Sequence, residues 1–203
     1  HMRGAALKLG QMLSMDSGIV LSPQLTSILA SLRDDARPMP PHQLRDTLNA
    51  EWGAGWLSRF RRFDVRPFAA ASIGQVHRAE THYGRVLAIK VQYPGVRASI
   101  DSDVDNIATL MRLPGLLPKG MDIAPLLAAA KAQLHDEADY AAEAAHLRRF
   151  GSLLQESASF VLPRVQEDLS TPQVLAMTYV ESQSIDTLEA APQPTRDRAA
   201  SDL

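Results

Sequence analysis

Residues 68–95 read FAAASIGQVHRAETHYGRVLAIKVQYPG, and the alternation in the second half of this stretch decides the fold. From Val86 to Tyr93 the apolar positions recur every second residue. Leu87, Ile89, Val91 and Tyr93 then share one face of a strand, while Val86, Ala88, Lys90 and Gln92 share the other. QVHRAE reads as the strand before it, and HYGR between the two, with Gly84, as a hairpin turn. Phe63, Val65, Pro67 and Phe68 predict one more strand upstream. Ala88 and Lys90 therefore point the same way, and Lys90 either snorkels into solvent or is aimed at something negative.

On both sides of this block the period becomes helical. Upstream, Arg3 to about Leu32 is helical. Ser22 is placed to cap a second helix whose apolar residues are Leu25, Ile28, Leu29 and Leu32. Pro38, Pro40 and Pro41 break the chain, and Pro41 suits the first turn of a third helix ending near Trp52. Three helices before any strand predict an appendage that rests on another surface. Downstream, Asp101 or Ser102 is placed to cap a helix through Met111, and Pro114, Gly115 and Pro118 interrupt it. An alanine-rich stretch predicts one long helix over about 123–154. FVLPRV and QVLAMTYV predict two further strands, and the charged end from Thr195 starts a last helix.

The 203 residues suffice for one domain with a real core, or one domain with a helical appendage. A hydrophobic share of 45% with 22% charged residues is ordinary for a soluble globular protein. The net charge of -2, with dispersed basic residues, gives no footprint for nucleic acid. Without cysteine there are no disulfides, thiolate metal sites or thiol catalysis. The longest apolar runs are too short to span a bilayer, so a cytoplasmic chain is expected.

Strand, small-residue loop, strand, hairpin, strand with Ala-x-Lys, long helix and two strands form an order that resembles the N-terminal lobe of a protein kinase. A nucleotide base needs a flat apolar slot, and Val76 and Ala88 are small enough to roof it. Lys90, two residues beyond Ala88 on the same face, then stands over the phosphates as a point charge. Such a lysine needs a carboxylate from the long helix. Asp139 and Glu143 are four apart on one face while Glu137 points elsewhere, which leaves Glu143 or Asp139 as its partner. The loop departs from the kinase pattern. Ala69, Ala70, Ala71, Ser72 and Ile73 precede a lone Gly74, and alanine methyl groups stand where phosphate oxygens approach closest.

Four segments occur in one order: KLGQ (Lys8 to Gln11, with Gly10), AAASIGQVH (Ala69 to His77), AIKVQYPGV (Ala88 to Val96) and EADYAAEA (Glu137 to Ala144). In this they resemble the UbiB/ADCK family of atypical kinases, linked to ubiquinone biosynthesis, and the resemblance covers nearly the whole chain. It implies that the Lys-x-Gly-Gln helix folds over the nucleotide cleft, with Glu137 and Asp139 as a latch for Lys8 and Gln11. It further implies that Glu143 pairs with Lys90, and that Met177, Thr178, Tyr179 and Val180 form the gatekeeper and hinge beside the adenine. ATP or ADP with Mg2+ is the implied cofactor, and the longer parent is expected to associate peripherally with a membrane. The catalytic-loop Asp and Asn and the Asp-Phe-Gly segment of kinases are not in these residues. Catalysis by this chain alone is therefore not expected.

Each feature alone is ordinary. A lone Ala-x-Lys usually marks a surface lysine, and an Ala-rich helix with Glu and Asp is usually a solvated one. Their joint order carries the reading. DSDVDN from Asp101 is no calcium loop, because Asn106 replaces the required glycine and Arg112 the terminal glutamate. HDEAD from His135 lacks the second histidine of a zinc helix. The expected fold is α+β: residues 1–58 as helical extension, 59–185 as the kinase-like lobe with its small antiparallel sheet, and 186–203 as the start of a second lobe. The competing expectation is a non-catalytic module. It would hold a lipid, a quinone precursor or a biosynthetic protein against the apolar residues Met12, Met15, Ile19 and Leu21.

Overall fold

The structure, a computed structural model, describes residues 2–15, 23–34, 38–117, 121–155, 157 and 160–202. Ser22, Ile19 and Leu21, named above as a cap and as docking residues, lie outside the described residues. At the centre is β4 (Val86–Gln92), antiparallel to β3 (Gly74–Thr81) on one side and to β5 (Val174–Thr178) on the other. The turn from β3 to β4 is the expected hairpin. Gly84 takes φ +77, and its N–H donates to the Thr81 carbonyl at 3.0 Å.

The register fixes what each face carries. Val76 lies opposite Lys90 and Arg78 opposite Ala88, while Ala88 and Lys90 face Met177 and Leu175 across the other side. Directly opposed residues share a face. One face therefore holds Val76, Arg78, Ala88, Lys90, Leu175 and Met177. The other holds Gln75, His77, Leu87, Ile89, Val91, Val174 and Ala176.

Two expected strands are cut short, each beside a proline. Upstream, β1 (Phe60–Phe63) and β2 (Ala69–Ala70) share one edge of β3, and the segment between them leaves the regular ladder. Pro67 has no N–H to donate; only Asp64 and Phe68 donate there, at 2.9 and 3.0 Å. FVLPRV forms no strand either. Pro163 leaves Val165 in an isolated bridge to Met177.

The helices close both faces. α3 (Pro41–Trp52) covers the back, where Trp52, Trp56, Phe60 and Phe63 stack with ring centroids 4.9–6.2 Å apart. The Trp52 indole N–H donates to the Leu169 carbonyl at 2.8 Å, so even this ring's polar atom is satisfied. The front core joins α1 (Met2–Met15), α2 (Pro23–Asp34), α4 (Val96–Met111), α5 (Ala124–Glu137) and α6 (Tyr140–Leu153). Leu9, Leu13, Leu25, Ile107, Met111 and Leu134 are buried in it. A short helix, α7 (Gln193–Asp202), closes the described chain.

α4 starts at Val96, five residues before Asp101. Gly95 at φ +72 turns the chain straight into the helix, and burial of Val96 and Ile100 draws the extra turn into the core. The single long helix expected over 123–154 is also two helices. α5 stops at Glu137 and α6 restarts at Tyr140, because the Asp139 carboxylate accepts the Ala142 N–H at 2.9 Å as an N-cap. Gln92, buried on β4, donates to the Ala138 carbonyl at 2.8 Å and satisfies the other side of the break.

Candidate functional site

The break between α5 and α6 organises the site, because it turns two nearby carboxylates towards different partners. Glu137, the last residue of α5, accepts from Lys8 of α1 with one oxygen and from the Ser72 hydroxyl with the other. Glu143, in the first turn of α6, takes the Lys90 ammonium with both oxygens, at 2.9 and 2.6 Å. Of the two partners the spacing left open for Lys90, Glu143 makes the contact and Asp139 caps the helix. As a member of the first turn, Glu143 also sits at the favourable end of the α6 dipole.

α1 lies over the small-residue loop. Leu9 and Leu13 bury its inner side, and Gly4 touches the loop so closely that an added Cβ would lie 2.7 Å from the Ser72 carbonyl oxygen. Lys8 completes the contact through Glu137. Gln11 and Asp139 line the same cleft as Lys90. Gly10 has open space where a side chain would be. Met12 packs against the front core, so part of the apolar surface offered for docking is filled from inside.

The cleft between these elements has a volume of about 890 Å³, and Gln11, Ala70, Ser72, Lys90, Glu137 and Glu143 are among the residues that line it. Ala69 and Ala70 pair with Val76 and Gln75, and the Ala71 N–H donates to the Gly74 carbonyl at 2.9 Å. The loop is thus a closed turn that spends that N–H internally. Gly74 is needed where it stands: a Cβ there would meet the Val91 carbonyl oxygen at 2.4 Å.

Val76, Ala88 and Met177 share the Lys90 face but do not line this cleft. Thr178, Tyr179 and Val180 line a second hollow of about 1030 Å³, beside the end of α6 and residues 160–167. The Tyr179 N–H is engaged by the Val86 carbonyl at 2.9 Å, and its ring lies between Phe68 and the Arg78 guanidinium, 5.5 and 5.1 Å away. Among the described residues no group of three or more His, Asp or Glu side chains converges to hold a metal, and no helix is long and apolar enough to cross a membrane.

Three participants were missed in the sequence. Ser72 was placed in the loop but not joined to Glu137. Gln92 was placed on the Lys90 face without a task. Tyr140 was not singled out, yet the Lys90 ammonium sits 4.7 Å from its ring centroid. A signal for Gln92 existed: a polar residue in the run VLAIKVQY needs a buried partner.

Comparison with known proteins gives a consistent picture. The profile of the ABC1 atypical kinase-like domain matches residues 31–201. The chain is 45% identical over 181 residues to the mitochondrial atypical kinase COQ8 of Schizosaccharomyces pombe, a match covering 89% of this chain and 30% of that protein. It is 41% identical over 196 residues to the mitochondrial atypical kinase COQ8 of Saccharomyces cerevisiae, covering 97% and 39%. Among solved structures, the complex of Rv3197 with erythromycin from Mycobacterium tuberculosis superposes with a TM-score of 0.62 at 27% identity, over 96% of this chain and 48% of that one. The chain spans about a third of the length of these curated relatives.

Proposed function

The chain belongs to the ABC1 atypical kinase-like (UbiB/ADCK) family, and from that premise we propose that it is the nucleotide-binding lobe of an atypical kinase or ATPase serving isoprenoid quinone biosynthesis. In this reading residues 59–185 hold ATP or ADP, residues 1–58 cover the cleft, and residues 186–203 lead into a second lobe. The observation that carries it is the Lys90–Glu143 pair at a cleft floored by a small-residue loop. An ammonium held on one side by both oxygens of a carboxylate keeps its remaining side for a phosphate.

The residues fit a nucleotide in a particular way. Lys90 orients the phosphates, Glu143 orients Lys90, and Ser72 and Ala70 bound the space the phosphates enter. Val76, Ala88 and Met177 form the apolar roof of the base, with Thr178 to Val180 as its hinge. Because the Tyr179 N–H is already engaged, base recognition falls to the hinge backbone beyond it. The nucleotide brings the transferable phosphoryl group, and Mg2+ travels on its phosphates. The chain's own contribution is to hold and orient. Peripheral attachment of the parent to a membrane, where quinone precursors reside, follows from the same family reading.

Calorimetric titration of the full-length protein with ADP and ATP tests this. Lys90→Met should weaken both by about tenfold or more, the loss of one charge-assisted phosphate contact. Unchanged affinity in a folded Lys90→Met protein would remove the lysine from the site and the reading with it.

A further inference from the structure

We propose that Tyr140 is a positioning residue for Lys90: its ring is the platform on which the ammonium rests while Glu143 clamps it. The proposal rests on the nucleotide reading of Lys90 and adds a residue to it. A buried tyrosine is ordinarily core filling with its hydroxyl tied to a partner. Tyr140 departs from that in three respects.

First, it is among the largest fully buried side chains, yet its hydroxyl has no hydrogen-bond partner among the described residues. A polar atom left so is unfavourable, so the use of the side chain lies in its ring. Second, that ring carries the Lys90 ammonium at 4.7 Å from its centroid, within the range where the negative face of an aromatic attracts a cation. Third, space has been cleared for it. A Cβ on Gly74 would come within 3.0 Å of the Tyr140 hydroxyl, so the lone glycine of the loop serves the ring beneath it as well as the strand beside it.

The geometry around the pair points the same way. Tyr140 is the first residue of α6 and Glu143 stands three later, so both project from one helix face. One helical turn therefore supplies platform and clamp together. The position of that turn is set by β4 itself, since Gln92, two residues past Lys90 on the same strand face, holds the Ala138 carbonyl. The ammonium is thus fixed from below by the ring and from one side by the carboxylate, and its free side opens on the cleft. Burial, with Glu143 and Glu137 nearby, raises the tyrosine hydroxyl's pKa far above its ordinary value, so it stays neutral.

The test uses the full-length protein with Tyr140→Phe, Tyr140→Leu and Tyr140→Met, and Lys90→Met as reference. ADP affinity is read by calorimetry, and the rate of Lys90 acylation by an amine reagent by mass spectrometry. Tyr140→Phe keeps the ring and should leave both readouts unchanged while raising the melting temperature. Tyr140→Leu and Tyr140→Met keep apolar bulk without a ring face. They should weaken ADP by roughly three- to tenfold and change the acylation rate of Lys90. Met fills the space if Leu fails to fold. Wild-type affinity and reactivity in a folded ring-less variant would overturn the proposal. If Lys90→Met itself leaves ADP affinity intact, the nucleotide reading fails, and the acylation rate alone then decides whether Tyr140 positions the lysine.

Discussion

The two faces of the central sheet handle their polar residues in opposite ways. The back is shut by a stack of Trp52, Trp56, Phe60 and Phe63 over Leu87, Ile89 and Val91. Its polar residues, Gln75 and His77, are fully buried and satisfied in a chain: the Met39 N–H donates to Gln75, Gln75 meets His77 Nε2 at 2.9 Å, and Nδ1 meets the Asp64 carbonyl at 2.9 Å. The front has an apolar core of its own, and its charge gathers beside that core. Lys90, Glu137 and Glu143 line a cleft, and two ion pairs, Lys90 with Glu143 and Lys8 with Glu137, cross element boundaries there. One motif serves both, because AAASIGQVH alternates: Ser72, Gly74 and Val76 belong to the front, Gln75 and His77 to the back. On the proposed reading, the motif is partly a nucleotide site and partly a fastening.

If that division is right, back-face changes should alter stability and front-face changes should alter binding. The largest expected effect is Trp52→Ala, which opens the aromatic stack and orphans the Leu169 carbonyl. It should cost about 3–5 kcal/mol in urea unfolding, with ADP affinity of the remaining folded protein unchanged. A parallel loss of affinity in the folded fraction would show that the back face shapes the cleft as well. Next, Ala70→Gly in the full-length protein should raise ADP and ATP affinity several-fold, by removing a methyl group that the nucleotide reading sets beside the phosphates, with little change in the melting temperature. Equal affinities of the two forms, by calorimetry with and without magnesium, would show that the loop methyls do not control binding.

Smaller is the pH dependence of the back face. Burial lowers the pKa of His77 below 6.5, outweighing the raising influence of Asp64. The neutral ring accepts from Gln75 and donates to Asp64 in the folded state, whereas the unfolded chain takes up its proton first as pH falls. The stabilisation should be complete above pH 6.5 and decline as pH falls through the lower folded value, seen as a falling melting temperature. His77→Gln should flatten that decline. The smallest effect belongs to Lys8→Ala. Its half-screened pair with Glu137 is worth about 1 kcal/mol or less in unfolding, yet hydrogen exchange in α1 should rise, because the pair fixes where the helix sits.

Much of this was legible in the sequence, and what was not has identifiable causes. Period-two alternation placed β3, β4, β5 and the faces of Ala88 and Lys90, because a half-buried strand cannot hide its alternation. The spacing of Asp139 and Glu143 narrowed the partner of Lys90 to two residues. It could not choose between them, since a helix-interior aspartate and a capping aspartate look alike until the helix breaks. That break was hidden by high alanine propensity, which outvoted a single Asp. The start of α4 was missed because burial of Val96 and Ile100 overrode the better caps at Asp101 and Ser102. Proline cut short two strands that hydrophobicity favoured. The contacts of Ser72, Gln92 and Tyr140 join residues more than 45 positions apart in chain, beyond the reach of any local pattern.

On the proposed reading the Lys90 ammonium, set by Glu143, faces nucleotide phosphate. An acyl-phosphate derivative of ATP transfers its acyl group to a lysine amine beside the phosphates, and peptide mapping shows which lysine was acylated. In the full-length protein, Lys90 should be labelled, excess ADP should protect it, and Glu143→Gln should reduce the protected labelling. Labelling that falls on Lys8 while Lys90 stays unmodified, or that ADP leaves untouched at Lys90, would remove Lys90 from the nucleotide site.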